Sequence, residues 1–337
     1  MIKTDPAGDV MWEKTYGGNQ YDFGNSIIQT ADGGLAIAGT TESLGAGGAD
    51  FYLLKIDPAG NELWSKAFGG PKDEEVLDIK QTADGGYILV GATQSFGAGS
   101  NDVYLVKTDA SGSLVWSQQY GTANDDLGWS VYQTANGGYF ILGTVSYSSS
   151  DQDVYLIQVD AVGQEEWSRI RTEKGVQTGY AMVPTADGNY LITGLFDPTG
   201  AMAQADFLLL KVDPKGHDIW SKVVGNDSIS DYGITVIETA DGGFLATGMS
   251  MKSTSAGGSD IPLVKTDAHG AVLWMRNINV GGHDVGRALL QAADGGYALA
   301  GFVTDGGERL DAILMKLDGD GNVAEKSIPA KTSGKSG

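Results

Sequence analysis

Tryptophan sets the frame of this chain. Trp12, Trp64, Trp116, Trp167, Trp220 and Trp274 follow one another at intervals of 52, 52, 51, 53 and 54 residues, and only Trp129 stands outside the series. So regular a period means that one supersecondary unit is copied along the chain, each copy burying its apolar faces against its neighbours. Other positions keep the same beat. Asp32-Gly33-Gly34 returns as Asp84-Gly85-Gly86, Asn136-Gly137-Gly138, Asp187-Gly188-Asn189, Asp241-Gly242-Gly243 and Asp294-Gly295-Gly296. Seven residues after each Asp or Asn stands Gly39, Gly91, Gly143, Gly194, Gly248 or Gly301, and a third series is Asp50, Asp102, Asp153, Asp206, Asp260 and Asp311.

Each unit reads as four short strands, A to D. In the second unit they are expected at Leu77–Thr82, Tyr87–Thr93, Asp102–Lys107 and Leu114–Tyr120. These runs are rich in Val, Ile, Leu, Tyr and Thr and are bounded by Gly, Asp, Asn and Ser. Strands B and C are too apolar for a sheet with one wet face and suit a sheet covered on both. Asp84-Gly85-Gly86 joins A to B, its glycines supplying positive φ for a tight hairpin. Asp57-Pro58-Ala59-Gly60 joins C to D as a turn with Pro at its second place. A glycine within strand B, the Gly39 series, implies a close approach. The expected visitor is a side chain of the next unit, the strand D tryptophan being the candidate.

Four-stranded units at this spacing predict an all-β fold, a six-bladed β-propeller with four antiparallel strands per blade. The expected organisation is one propeller domain over 1–328, with blades at 19–68, 69–120, 121–171, 172–224, 225–278 and 279–317, and a polar tail at 329–337. Glu325 stands where the last unit should have its tryptophan. The surplus strand at residues 10–16 is therefore expected to complete the last blade and close the ring, as a Velcro. A solenoid, with atypical capping repeats, is the architecture set aside.

Composition narrows the function classes. A net charge of −21 disfavours partners rich in phosphate, so neither nucleic acid nor an anionic membrane is expected. The chain has no cysteine, which excludes disulfides, thiolate metal sites and cysteine nucleophiles. No apolar run approaches the length of a transmembrane segment, and no signal peptide is visible at the start.

The segments Asn61-Glu62-Leu63-Trp64-Ser65-Lys66-Ala67-Phe68-Gly69-Gly70, Ser26-Ile27-Ile28-Gln29-Thr30-Ala31-Asp32-Gly33-Gly34 and Asp102-Val103-Tyr104-Leu105-Val106-Lys107-Thr108-Asp109 resemble a repeat family of secreted and cell-surface proteins of bacteria and archaea. The likeness extends over about residues 1–325, and the layout is similar to that of quinoprotein propellers, without their quinone-site residues. It implies an extracellular or cell-surface propeller acting as a binding or assembly module. The fourth unit departs most, with Thr172-Glu173-Lys174-Gly175 in place of the Gly-Gly turn and Pro184 in strand A.

Candidate sites lie on the rim that carries the variable B–C and D–A loops, at the channel mouth. There strand A begins with an acid, Asp22, Glu74, Asp126, Asp231 or Asp284, replaced once by Gln177. A ring of carboxylates offers oxygen ligands to Ca2+ in or near the channel. The plainer reading is that each carboxylate accepts backbone N–H groups and locks a loop. Asp318-Gly319-Asp320-Gly321-Asn322 is faintly similar to a calcium loop but lacks the distal Glu, since position 329 is Pro. Residues that break the repeat on or beside strand A are Asp78, Lys80, Trp129, Tyr132, Tyr180, Glu238 and Arg287. Trp129, Arg287, Asp78 and Tyr180 are the expected ligand contacts, for a protein or carbohydrate partner. His217, His269 and His283 build no catalytic or metal set. Two alternatives remain: an extracellular hydrolase or lyase using channel-mouth carboxylates, and a subunit that self-associates.

Overall fold

The computed structural model describes residues 1–337 except 202–204, 226–229, 252–257, 305–309, 324–327 and 331–337. Every described element is a strand, and none of the described residues is helical. The chain divides into two compact units, Met1–Thr172 and Glu173–Gly337.

The first unit opens with β1 (Ile2–Thr4) and β2 (Val10–Glu13). Three antiparallel meanders follow. They are β3 (Asp22–Gln29), β4 (Leu35–Thr41), β5 (Asp50–Ile56) and β6 (Glu62–Phe68); β7 (Glu74–Gln81), β8 (Tyr87–Thr93), β9 (Asp102–Thr108) and β10 (Leu114–Tyr120); and β11 (Asp125–Gln133), β12 (Tyr139–Ser148), β13 (Asp151–Val159) and β14 (Glu165–Arg171). The second unit repeats the plan with β15 (Val176–Pro184), β16 (Tyr190–Asp197), β17 (Asp206–Val212) and β18 (Asp218–Val224). Then come β19 (Ser230–Glu238), β20 (Phe244–Met251), β21 (Ser259–Thr266) and β22 (Val272–Ile278), and β23 (Asp284–Gln291), β24 (Tyr297–Thr304), β25 (Leu310–Leu317) and β26 (Ile328–Ala330).

Meanders stack face to face inside each unit. One core between the first two holds Ala36, Ala38, Phe51, Leu53, Ile79 and Leu89; the next holds Val90, Val103, Leu105, Val131 and Ile141. Strands β5, β8 and β9 are buried along their whole length, as a sheet covered on both faces requires. This is a β-propeller fold.

The tryptophans do not sit on the strand B glycines. A Cβ on Gly60, Gly112, Gly163, Gly270 or Gly321 would strike Trp12, Trp64, Trp116, Trp220 or Trp274. Each indole therefore lies on the C–D turn of the next repeat, where a positive-φ glycine leaves room. The strand B series has a different cause. A Cβ on Gly39, Gly91, Gly143, Gly194, Gly248 or Gly301 would meet the carbonyl oxygen of Phe23, Glu75, Leu127, Thr178, Tyr232 or Val285 in strand A of the same meander. Strand A shifts register there, between Gly24 and Ser26, Val76 and Asp78, or Gly128 and Ser130. The bulge pushes a carbonyl toward strand B, and only glycine yields the space.

The expected closure is also corrected. Val10–Glu13 pairs with Ile2–Thr4, not with the last meander, whose β25 is flanked instead by β26. The segment expected as a tail from residue 329 thus begins inside a strand. Asp5-Pro6-Ala7-Gly8 is a C–D turn like Asp57-Pro58-Ala59-Gly60, and Asp5 Oδ1 accepts from the Ala7 and Asp9 amides. A hairpin closed over so few residues costs far less chain entropy than pairing across three hundred. The hairpin packs on the first meander, with Met1, Trp12 and Tyr16 against Tyr52, Leu54 and Ile56. Tyr16 Oη donates to Gly60 O (2.8 Å) and Lys14 Nζ to Ala59 O (2.9 Å).

Candidate functional site

The two ends of each meander handle charge in opposite ways. At the A–B end the strand C lysine reaches the Asp of its A–B turn; Lys55, Lys107, Lys211 and Lys265 are buried and Lys316 is partly exposed. Lys55–Asp32 (3.0 Å), Lys107–Asp84 (2.9 Å), Lys211–Asp187 (2.7 Å), Lys265–Asp241 (2.9 Å) and Lys316–Asp294 (2.7 Å) form the series. Thr30 and Lys55 hold the Asp32 carboxyl down to about 2; Thr82 and Lys107 do the same for Asp84, and Thr239 and Lys265 for Asp241. The third repeat makes both partners neutral at once, Gln158 replacing Lys and Asn136 replacing Asp. Gln158 is buried and donates to Val159 O (3.3 Å).

At the other end are the strand A acids. Among the described residues no three His, Asp or Glu side chains converge as a metal centre, so these acids form no ligand cluster with one another. Four of them instead close the preceding D–A loop. Asp22 accepts from Gly18 N (2.8 Å), Glu74 from Gly70 N (2.6 Å), Asp126 from Thr122 N (2.5 Å), and Asp284 from Val280 N (2.6 Å) and Gly281 N (3.1 Å). Thr93 Oγ1 adds a donor to Glu74 (2.7 Å), and Thr41 Oγ1 donates to Asp22. Asp231 is buried; desolvation and nearby Asp206 push its carboxyl up, against a hydrogen bond from Ser250. Desolvation likewise raises Asp50, helped by Glu74, and raises Asp126, helped by Asp102.

Three of the repeat-breaking residues share a place in the backbone. Trp129, Tyr180 and Arg287 are the bulge residues of β11, β15 and β23, between Gly128 and Ser130, Gly179 and Ala181, and Gly286 and Ala288. Asn25, Leu77 and Ile234 hold the equivalent place elsewhere. Trp129 Nε1 donates to Thr144 Oγ1 (3.0 Å), and the Arg287 guanidinium lies 5.6 Å from the Phe302 ring centre. Burial, with Tyr232 beside it, raises the Tyr180 phenol to about 12. Asp78 is a structural hub. It accepts from Lys80 Nζ (2.5 Å) and Ser130 Oγ (3.1 Å), and from Ser26 Oγ (3.2 Å), which ties β3, β7 and β11 together. Lys80 in turn lies 4.8 Å from the Tyr132 ring centre. The Asp318 turn spends its carboxylate on the Asp320 and Asn322 amides, both at 2.9 Å.

A cleft of about 610 Å³ opens on the loop rim of the first unit. It is lined by Phe23, Asn25, Glu42, Asp73, Glu75 and Gln94, with Glu74, Asn101 and Leu127 among its other walls. The expected ligand contacts Trp129, Asp78, Tyr180 and Arg287 do not line it; of the acids expected around Ca2+, Glu74 does. Sequence offered one signal for the rest. Phe23, Glu75 and Leu127 all follow the strand A acid, and Asn25 is a bulge residue. Glu42 and Gln94 come from the variable B–C loops, which marked the rim but not the individual side chains.

No family model matches the chain. The regulatory protein FlaEY of Caulobacter vibrioides is 24% identical over 169 residues, covering 43% of this chain and 18% of that protein. The chain thus spans less than a fifth of the length of that relative. Among solved structures, a mutant of puromycin hydrolase superposes with a TM-score of 0.57 at 11% identity, over 92% of this chain and 45% of the other. The α-L-arabinanase of Penicillium chrysogenum, complexed with arabinobiose, gives 0.52 at 14% identity over 88% and 92%. The β-propeller domain of the trilobed protease from Pyrococcus furiosus gives 0.50 at 10% identity over 94% and 84%. These likenesses establish the propeller fold alone.

Proposed function

We propose that the chain is a six-bladed propeller that acts as a non-catalytic binding module at the cell surface or outside the cell, taking a neutral, hydroxyl-rich ligand such as an oligosaccharide in the loop-rim cleft. The observation that carries this reading is the lining of the cleft. Asn25, Gln94 and Asn101 offer amides, Glu42, Asp73 and Glu75 offer acceptors, and Phe23 offers an exposed ring. Amides and carboxylates bond hydroxyls in both directions, and an aromatic face suits a sugar ring. The cell-surface part of the reading rests on the resemblance of the repeats. Binding to a glycan array should be lost in Phe23→Ala and Gln94→Ala while the melting temperature holds. Binding unchanged in both variants would move the site elsewhere.

A second reading has one observation in its favour: Glu42 and Glu75 share that cleft, and two carboxylates suffice for glycoside cleavage. Release of reducing ends from an array-positive glycan, abolished in Glu75→Gln, would establish a hydrolase and reject the binding-only reading.

A further inference from the structure

Between successive meanders of the first unit, two buried acids are brought face to face. A Cβ placed on Gly69 would collide with both Asp50 Oδ1 and Glu74 Oε2. One placed on Gly121 would collide with both Asp102 Oδ1 and Asp126 Oδ2. In each case the first acid opens strand C of one meander and the second opens strand A of the next. All four side chains are buried. Their other bonds fix their orientation. Asp50 Oδ2 accepts from Ala46 N (3.0 Å), and Asp102 Oδ2 from Gly99 N (3.0 Å). Glu74 and Asp126 are held by the loop amides of Gly70 and Thr122. Asp50 Oδ1 and Asp126 Oδ1 are fully buried and accept from nothing.

Two buried carboxylates at such range do not both stay ionised without a cation, and an orphaned buried oxygen loses its hydration without replacement. The repeat itself tracks this problem. The residue five places after the tryptophan is Gly69 and Gly121 where two acids meet, and Gly225 beside Asp206. It becomes Thr172 in the repeat whose strand A acid is replaced by Gln177. It becomes Asn279 before Asp284, and there the Asn279 amide donates to Asp260 Oδ1 (2.5 Å). Loss of the glycine thus coincides with removal of a charge or arrival of a donor. Glu74 lines the cleft, which gives the Asp50–Glu74 pair a route to solvent, and the neighbours Asn101 and Leu127 of the second pair line it too.

We propose that the Asp50–Glu74 and Asp102–Asp126 pairs are two calcium sites that staple strand C of one meander to strand A of the next. The donors are all oxygen, which selects a hard cation. Two carboxylates completed by water suit the large, adaptable shell of Ca2+ better than the strict octahedron of Mg2+. Glu74 is shared between the first of these sites and the wall of the cleft, whereas Asp102 and Asp126 do not line it.

The test uses the full chain stripped with chelator. Equilibrium dialysis against Ca2+ should show saturable binding that falls by two equivalents in Asp50→Asn/Asp102→Asn. Saturating Ca2+ should raise the wild-type melting temperature by at least about 5 °C over Mg2+ at equal ionic strength, and the variant should lose that rise. Terbium luminescence on the wild type, competed by Ca2+, reads the same sites without any variant. No Ca2+ binding above the Mg2+ control, or an undiminished stoichiometry in the variant, overturns the proposal. Stability that instead rises with acid in the wild type alone, with no calcium response, assigns the pair a shared proton and overturns it equally.

Discussion

The two ends of a meander differ in how they settle a buried charge. At the A–B end every buried ammonium has an Asp carboxylate of its own repeat, as Lys107 has Asp84. At the loop end buried acids meet buried acids, as Asp50 meets Glu74. The first arrangement is closed: it needs nothing from outside. The second leaves oxygens without partners, so the loop end is where a ligand changes the energy of the fold.

The largest expected effect breaks the closed end. Asp84→Ala leaves the Lys107 ammonium buried with only a carbonyl, Thr108 O (2.7 Å), for company. We expect a loss of about 3 kcal/mol in denaturant unfolding. Lys107→Met should cost less, about 1 kcal/mol, because Asp84 is well exposed and returns to water. The double change Asp84→Asn/Lys107→Gln copies the third repeat and should recover most of the Asp84→Ala loss, as a double-mutant cycle would read.

Acid should then separate the two ends by sign. The carboxyls of Asp32, Asp84 and Asp241 lie at about 2 in the fold. Their folded values are depressed, so their stabilisation is whole above about 4 and drains as pH falls toward 2. Asp50 and Asp126 are raised, so their contribution is whole below about 4 and is lost as pH rises through the folded values. The advantage of the wild type over Asp84→Asn/Lys107→Gln should shrink between pH 4 and pH 2. The smallest effect is expected for Asp50→Asn in chelator, which removes a like charge: within about 1 kcal/mol of wild type, and above it at pH 8 rather than below. Unfolding midpoints across pH check both.

Much of this was legible in the residues. Strands B and D of the second repeat fall where the apolar runs and turns put them, and Lys55, Lys107, Lys211, Lys265 and Lys316 stand in register with the Asp series, Gln158 changing with Asn136. Strand A begins at Glu74 rather than Leu77 because a bulge at Leu77 breaks the alternation that marks a strand. The same bulge hid the cause of the Gly91 series, since a backbone carbonyl leaves no trace in the sequence. Trp129, Tyr180 and Arg287 drew notice as exceptions, but their common place shows only once the register shift is seen. Glu42 and Gln94 lie in variable loops that marked the rim, but which of their side chains enter the cleft depends on contacts distant in sequence, such as Glu42 N to Tyr21 O and Gln94 N to Asp73 O.

The lysine–aspartate lock has an evolutionary corollary. Its halves lie 22 to 24 residues apart in each copy. A copy that drifts to the neutral pair must change both, and the two orders are unequal. Replacing the lysine first strands nothing, since its aspartate faces water; replacing the aspartate first leaves a buried cation with neutral acceptors only, such as Thr108 O. The less costly path to Asn136 and Gln158 therefore runs through the glutamine first. Duplicated repeats that look free to diverge are in this respect bound by a ratchet, and the order of its teeth is set by which partner is wet.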